Sequence, residues 1–348
     1  QTGYKGRIAI HEVIEIDIND EPEIDNAKKC RKTTVCSHQD NCDCEDVKVK
    51  SYRCENIDDI VKTIKWNDME IKVGKDLSEN QIKEITNILT KNQNIVTAAG
   101  EVIGSVVDYQ YRLYAKPQTR PIKCQPSRVN PENMQLIEEE VEKMEKLGII
   151  KPSMSDWASR IVLVKRKNGK ARMCIDFREV NKALEDDAYP NPDTQMCLRA
   201  LAGAKYFSQI DLNNAYHQVA LSPDSKHFTA FVTPSGKHYE YNSVPFGLKT
   251  SGAAFLRALD VVTAGLKFKD FISFVDDIIV FGKSWSQHTE RLQRLLEKFS
   301  KANITISATK CAFGTTGVSF LGFDISADGI RPSEALVKKL DLIGTPKT

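Results

Sequence analysis

The stretch Phe271-Ile272-Ser273-Phe274-Val275-Asp276-Asp277-Ile278-Ile279-Val280-Phe281 constrains the fold more than any other part of the chain. A run this apolar has to be buried, and two adjacent carboxylates in its middle cannot be buried uncompensated. Neighbouring side chains on a strand point to opposite faces, so both acids approach one site only if the chain turns beside them. A β-hairpin with Asp276-Asp277 at its tip meets that condition, and hard divalent cations would offset the clustered charge. The bland alternative is an acidic turn between two buried strands.

A third carboxylate, Asp211, ends the apolar stretch Tyr206-Phe207-Ser208-Gln209-Ile210, 65 residues before Asp276. Three carboxylates on adjacent strands are the minimal set for two metal ions about 3.5–4 Å apart, the arrangement that clamps attacking and leaving oxygens in phosphoryl transfer. Asp211, Asp276 and Asp277 are therefore the candidate catalytic and metal-binding residues. The implied cofactor is a pair of Mg²⁺ or Mn²⁺ ions.

Elsewhere the pattern is mixed. Residues 8–18 alternate like a half-exposed strand, and residues 19–66 are polar and poor in large apolar groups, which predicts a loose linker. That linker holds Cys30, Cys36, His38, Cys42, Cys44 and Cys54, but their spacings fit no ordinary zinc module, so free thiols are expected. Ser78 predicts a helix cap ahead of Ile82, Ile85 and Leu89. Asn130-Pro131 predicts a second helix, with Met134, Ile137, Val141 and Met144 inward, up to Gly148. Residues 161–164 and 173–175 predict a hairpin, as do 228–232 and 239–244, while 206–212 and 318–325 read as single strands. Residues 251–266 and 286–300 read as helices. Hairpins mixed with helices, without strict βαβ alternation, indicate an α+β class with an antiparallel sheet.

With 49 Lys and Arg against 47 Asp and Glu, a site for polyanions has to come from local segregation of charge. Residues 12–27 hold seven acids and no base, whereas residues 165–172 hold Lys165, Arg166, Lys167, Lys170 and Arg172 with no acid. One sign of charge concentrated on a hairpin suits a clamp for phosphates. The odd count of nine cysteines, with no apolar secretory segment, predicts a reducing compartment inside the cell. No apolar run approaches the ~20 residues that span a bilayer.

Six ordered blocks carry a resemblance: Trp157-Ala158-Ser159, Arg172-Met173-Cys174-Ile175-Asp176-Phe177-Arg178-Glu179-Val180-Asn181, Asp211-Leu212-Asn213-Asn214-Ala215-Tyr216-His217-Gln218, Pro245-Phe246-Gly247-Leu248, Phe274-Val275-Asp276-Asp277 and Phe320-Leu321-Gly322. Together they resemble reverse transcriptases, most closely the gypsy-type branch of long-terminal-repeat retrotransposons. The resemblance covers residues 75–348 and implies the fingers and palm of a right-hand polymerase, with an antiparallel palm sheet backed by helices. It implies a linker or tail of a preceding domain at 1–66, a pre-fingers segment at 67–120, fingers and palm at 121–330, and the start of a thumb at 331–348.

The same resemblance implies an RNA-directed and DNA-directed DNA polymerase within a Pol polyprotein. Its partners would be an RNA or DNA template with its primer, deoxynucleoside triphosphates, and neighbouring protease, ribonuclease H and integrase regions, with no membrane. Arg172 and Arg166 would hold the incoming triphosphate, the latter where the family commonly has lysine. Tyr216 would block a 2′-hydroxyl, Phe246 and Gly247 would floor the nucleotide pocket, and Lys310 would lie near the pyrophosphate. Lys165, Lys167, Lys170, Leu321 and Gly322 would contact nucleic acid, the last two on a hairpin that positions the primer end. Phe274 stands where the family usually has tyrosine. His288 is expected as a packed core residue.

Two rivals are an RNA-templated RNA polymerase and a domesticated, inactive copy that only binds nucleic acid. Tyr216, five residues after Asp211, argues against the first, because a ribonucleotide polymerase needs room for the 2′-hydroxyl there. The intact Asp211, Asp276 and Asp277 argue against the second. With few residues left for a thumb, weak primer-template binding and short extension are expected of the 348 residues alone.

Overall fold

The computed structural model describes residues 60–98, 102–165, 171–274, 277–334 and 336–337, with Lys165 described by its main chain only. The expected strand at 8–18, the acidic stretch at 12–27 and the linker as far as residue 59, with all six of its Cys and His residues, lie outside the described residues.

The strands of the three larger sheets, in chain order, are β1 (Val61–Trp66), β2 (Met69–Gly74), β3 (Ile150–Pro152), β4 (Ser159–Lys165), β5 (Ala171–Asp176), β6 (Tyr206–Ile210), β7 (Phe231–Val232), β8 (His238–Tyr241), β9 (Phe271–Phe274), β10 (Asp277–Gly282), β11 (Ala312–Thr315), β12 (Gly317–Phe320), β13 (Phe323–Ser326) and β14 (Gly329–Pro332). The described α-helices of six or more residues are α1 (Glu79–Lys91), α2 (Pro131–Lys146), α3 (Arg178–Ala183), α4 (Thr194–Leu201), α5 (Ser251–Val262) and α6 (Trp285–Ala302).

A six-stranded sheet in the order β1-β2-β11-β6-β10-β9 forms the centre. It is antiparallel except where β2 and β11 run parallel, with Ala312 opposite Lys72. A second sheet, β3-β8-β7-β4-β5, carries the predicted fingers hairpin, and β12-β13-β14 form a third. This is the expected α+β arrangement of helices and hairpins.

Local chemistry accounts for the element ends. Ser78 accepts from the Gln81 amide while the Gln81 side chain returns to the Ser78 amide, a reciprocal capping box that starts α1. Asn130 caps α2 ahead of Pro131, and Ile137, Val141 and Met144 are buried along one stripe. Asn67 and Asp68, both at positive φ, form the two-residue turn between β1 and β2, where the strand twist requires mirror-image turn geometry.

The apolar run around Asp276-Asp277 has a simple origin: both faces of β10 are covered. Ile278 and Val280 enter the main core with Leu292, Leu295, Leu296 and Phe299 of α6, while Ile279 and Phe281 enter a second cluster with Cys197 and Leu201 of α4 and Val318 and Phe320 of β12. A strand buried on both sides loses its polar alternation. The α6 helix is tied to the start of β9 through Asp270, which accepts two hydrogen bonds from Arg294 at 2.8 and 2.9 Å and faces Arg291 at 3.6 Å.

Three sequence expectations need correction. The boundary at residue 66 falls inside the β1–β2 hairpin, so 61–74 belong to the central sheet and not to a linker or a separate pre-fingers piece. The boundary at 330 falls inside β14, whose residues 331 and 332 pair with β13. The single strand expected over 318–325 is a hairpin, broken at Leu321 and Gly322, which both have positive φ.

Candidate active site

The two described carboxylates sit together because of register. Strands β6 and β10 are antiparallel with Ile210 opposite Ile278, so the next position outward is Asp211 on one strand and Asp277 on the other. On its other side Asp277 pairs with Phe274 across β9 and β10. The strand thus starts one residue earlier than a tip made of both acids implies. Asp276 itself lies outside the described residues.

Electrostatics at this sheet end favour a cation. Burial, then the charge of Asp211, push the Asp277 carboxyl above the usual carboxylate range, against a hydrogen bond from the Gln209 side chain. Oδ1 of Asp211 is buried with no hydrogen-bond partner. The ammonium of Lys310 approaches it to 3.4 Å, an ion-pair contact that does not close a hydrogen bond. A buried carboxylate oxygen left without a donor beside a second carboxylate fits a divalent ion. Asp211 is also held by its main chain: its N–H donates to Cys311 Sγ at 3.3 Å, and its carbonyl accepts from the Ser307 N–H at 2.8 Å and the Cys311 thiol at 3.7 Å.

Several residues expected around a nucleotide lie together. Tyr216 and Phe246 have ring centroids 4.8 Å apart, and Phe255 of α5 closes on Tyr216 at 6.0 Å. The guanidinium of Arg172, on β5, lies 5.4 Å from the Phe246 ring centroid. Gly247 has φ +96°, a conformation side chains resist, and its carbonyl accepts from Asn181 Nδ2 at 2.9 Å while the Asn181 Oδ1 accepts from the Lys249 N–H at 2.8 Å. Asn181 thereby ties the 247–249 loop to α3. His217, behind Phe246, stacks on Tyr241 and bonds the Val244 carbonyl, and burial pushes its pKa down to about 4.

The remaining candidates separate. Lys310 meets Asp211, and Leu321 and Gly322 occupy the β12–β13 turn. Lys165 closes β4, and Arg166, Lys167 and Lys170 lie outside the described residues. His288 is fully buried, 2.8 Å from Ser208 Oγ, as expected of a core histidine. Residues that motif reading passed over are Asn181, Gln209 and Cys311. Asn181 lay within a quoted block, but only its bonds to the 247–249 loop show what it does.

Carboxylates at the end of paired palm strands, beside an aromatic floor and a cationic fingers strand, define a polymerase-like site. Residues 164–325 match the reverse transcriptase (RNA-dependent DNA polymerase) family, and this part of the chain belongs to it. Its relatives are retrotransposon polyproteins. A retrovirus-related Pol polyprotein from transposon opus of Drosophila melanogaster is 36% identical over 239 residues, 67% of this chain and 23% of the relative. The transposon Tf2-3 polyprotein of Schizosaccharomyces pombe is 30% identical over 67% of this chain and 17% of its own length. The Pol polyprotein from transposon 297 of Drosophila melanogaster is 31% identical over 79% and 24%. The chain thus spans about a quarter or less of these relatives. Among solved structures, a foamy viral protease-reverse transcriptase in complex with an RNA/DNA hybrid shares the fold with TM-score 0.69 and 23% identity, covering 78% of this chain and 36% of that one. A related foamy viral structure in complex with double-stranded DNA gives 0.69 and 24%, covering 78% and 48%.

Proposed function

We propose that this chain is the fingers and palm of an RNA-directed DNA polymerase within a retrotransposon Pol polyprotein of the gypsy type, adding deoxynucleotides to a primer 3′-hydroxyl. The observation that carries the reading is the placement of Asp211 and Asp277 one position beyond the paired Ile210 and Ile278 at one sheet end, with Oδ1 of Asp211 buried and accepting no hydrogen bond. Asp211, Asp277 and Asp276 would hold two divalent ions, Mg²⁺ or Mn²⁺. When bound, these supply a lowered pKa for the primer hydroxyl and neutralisation of the leaving pyrophosphate.

The chain's own side chains do the rest. The Tyr216 ring, backed by Phe246 and Phe255, occupies the space a 2′-hydroxyl would need. Arg172 and Arg166 hold the triphosphate by charge-assisted hydrogen bonds, and Lys310 exchanges its contact with Asp211 for phosphate oxygen. Lys165, Lys167 and Lys170 contact the template backbone, and Leu321 and Gly322 the primer. The solved foamy viral relatives carry RNA/DNA hybrid and double-stranded DNA in their complexes, which supports a primed RNA or DNA template here. Protease, ribonuclease H and integrase regions belong to the same proposed polyprotein, in an intracellular particle of the element.

The test is single-nucleotide primer extension with Mg²⁺, comparing the unmodified chain with Asp276→Asn and Asp211→Asn. Each variant should fold normally and lose activity by about a hundred- to a thousandfold or more, the size seen when a stabiliser of transition-state charge is removed. Near-normal extension by either variant would sink the assignment.

A further inference from the structure

Residues 102–107 precede the family-matching region, yet they lie against the turn that follows Asp211. The Gly104 N–H donates to Thr305 Oγ1 at 3.0 Å, the Val106 N–H to the Gln218 carbonyl at 2.8 Å, and the Val107 N–H to the Ala302 carbonyl at 3.1 Å. The approach is so close that a Cβ on Gly104 would stand 2.1 Å from the Asn303 carbonyl oxygen and 2.9 Å from Gln218 Oε1.

The turn itself is closed by two buried amides. Gln218 donates from Nε2 to the carbonyls of Asn213 at 2.8 Å and Thr305 at 2.9 Å, and its Oε1 accepts from the Thr305 N–H at 2.8 Å. Asn213 donates from Nδ2 to Thr97 Oγ1 at 2.5 Å and, at 3.4 Å, to the carbonyls of Ala98 and Ile306. Gln218 therefore ties the end of the turn to its beginning. Between them Asn214 adopts φ +49° and Ala215–Gln218 form a single tight turn that carries Tyr216. Buried amides satisfied in this way specify one geometry, because any displacement leaves a donor unpaired.

We propose that residues 102–107 and Thr97 form a positioning clamp which, through Gln218 and Asn213, sets the height of the Tyr216 ring in the nucleotide pocket. Sugar discrimination then depends on chain that lies upstream of the family-matching region. The proposal rests on the polymerase reading above. No member of the clamp touches the reacting atoms; all act through Tyr216, where small misplacements have large kinetic effects.

The experiment uses the full chain with Gly104→Ala, measuring single additions of deoxy- and ribonucleotides in both the Tyr216 and the Tyr216→Val backgrounds. With circular dichroism unchanged, Gly104→Ala should lower discrimination about tenfold, mainly through a lower KM for the ribonucleotide and with kcat altered less. In the Tyr216→Val background the same substitution should change discrimination less than about twofold, because the two changes act on one group. Unaltered discrimination in a folded Gly104→Ala protein overturns the clamp, and so does an equal drop in both backgrounds. If Gly104→Ala does not fold, Thr97→Val, which removes one acceptor without adding bulk, carries the same expectation at about threefold. If the unmodified chain adds no nucleotide, the polymerase reading fails. The clamp is then judged by hydrogen exchange, where the amides of Asn213, His217 and Val219 should exchange about tenfold faster in the variant that folds, and unchanged protection refutes it.

Discussion

At the scale of single residues, the site works by contrast between what is satisfied and what is not. The main chain of Asp211 is fully bonded while its Oδ1 accepts no hydrogen bond and meets the Lys310 ammonium only as an ion pair at 3.4 Å, so the carboxylate is held in place with lone pairs unsatisfied. Cys311 is a large part of that hold, fully buried with burial pushing its thiol up to about 12, so it stays protonated and can donate. Cys311→Ala should strand the Asp211 N–H and cost about 1–3 kcal/mol of stability. It should also weaken Mn²⁺ binding followed by electron paramagnetic resonance, whereas Cys311→Ser should retain most of both. Equal Mn²⁺ affinity in the alanine variant would show that the thiol does not position Asp211. Tyr216→Val should raise ribonucleotide incorporation relative to deoxyribonucleotide by about tenfold or more, since the ring would no longer meet the 2′-hydroxyl. Unchanged discrimination in single-addition assays would remove Tyr216 from the pocket.

At the scale of elements, the β9–β10 hairpin is positioned by what covers it. Its two faces enter different clusters, so a slip of one residue would move Ile278 and Val280 out of one core and Ile279 and Phe281 out of the other. The register that juxtaposes Asp211 and Asp277 is thereby enforced from both sides. The α6 helix holds this hairpin through Asp270, whose carboxylate is buried against Arg291 and Arg294. Asp270→Ala leaves the largely buried Arg291 uncompensated and should cost about 3 kcal/mol, at the low end for a broken buried pair because Arg294 can rehydrate. Urea unfolding measures this directly. A loss below about 0.5 kcal/mol, the range of ordinary surface changes, would mean that the cluster is not structural.

At the scale of the whole molecule, the central sheet joins chain from far apart: β2 near the start pairs with β11 near the end, and β11 pairs with β6. Titration couples to this fold through its histidines. Burial pushes His288 down to about 3 and His217 down to about 4. An unfolded histidine titrates near 6.5, so between about 6.5 and 4 the unfolded chain binds protons that the folded chain refuses. Stability from these groups is present above about pH 6.5 and is lost as pH falls towards 4. The arginines beside Asp176, Arg178 foremost, hold its carboxyl well below the usual range, adding a further loss below about pH 4. The urea midpoint should therefore fall continuously on acidification, and His288→Gln should flatten the upper part of that fall. A midpoint independent of pH from about 7 to 4 would contradict the buried state of both histidines.

Local order was legible wherever it depended on neighbours in the chain. The caps at Ser78 and Asn130, the buried stripes of α1, α2 and α6, and the hairpin around Asp276-Asp277 follow from spacing and side-chain chemistry alone. So did the grouping of Arg172, Tyr216 and Phe246, through the resemblance their blocks carry. What failed were the boundaries, because residues 61–66 look too polar for a core strand. Lys62, Thr63 and Lys65 can lie on a sheet edge only because β2 and β11 supply the buried side, a fact no local window contains. The bonding of Asp211 to Cys311, of Asn181 to the 247–249 loop, and of Gln218 to Thr305 joins residues about 65 to 100 positions apart. The sequence by itself determined which chemistry is present and where the most strongly patterned helices and strands lie. Only the tertiary structure decided which polar groups are satisfied, because that depends on who arrives from elsewhere in the chain to donate or accept.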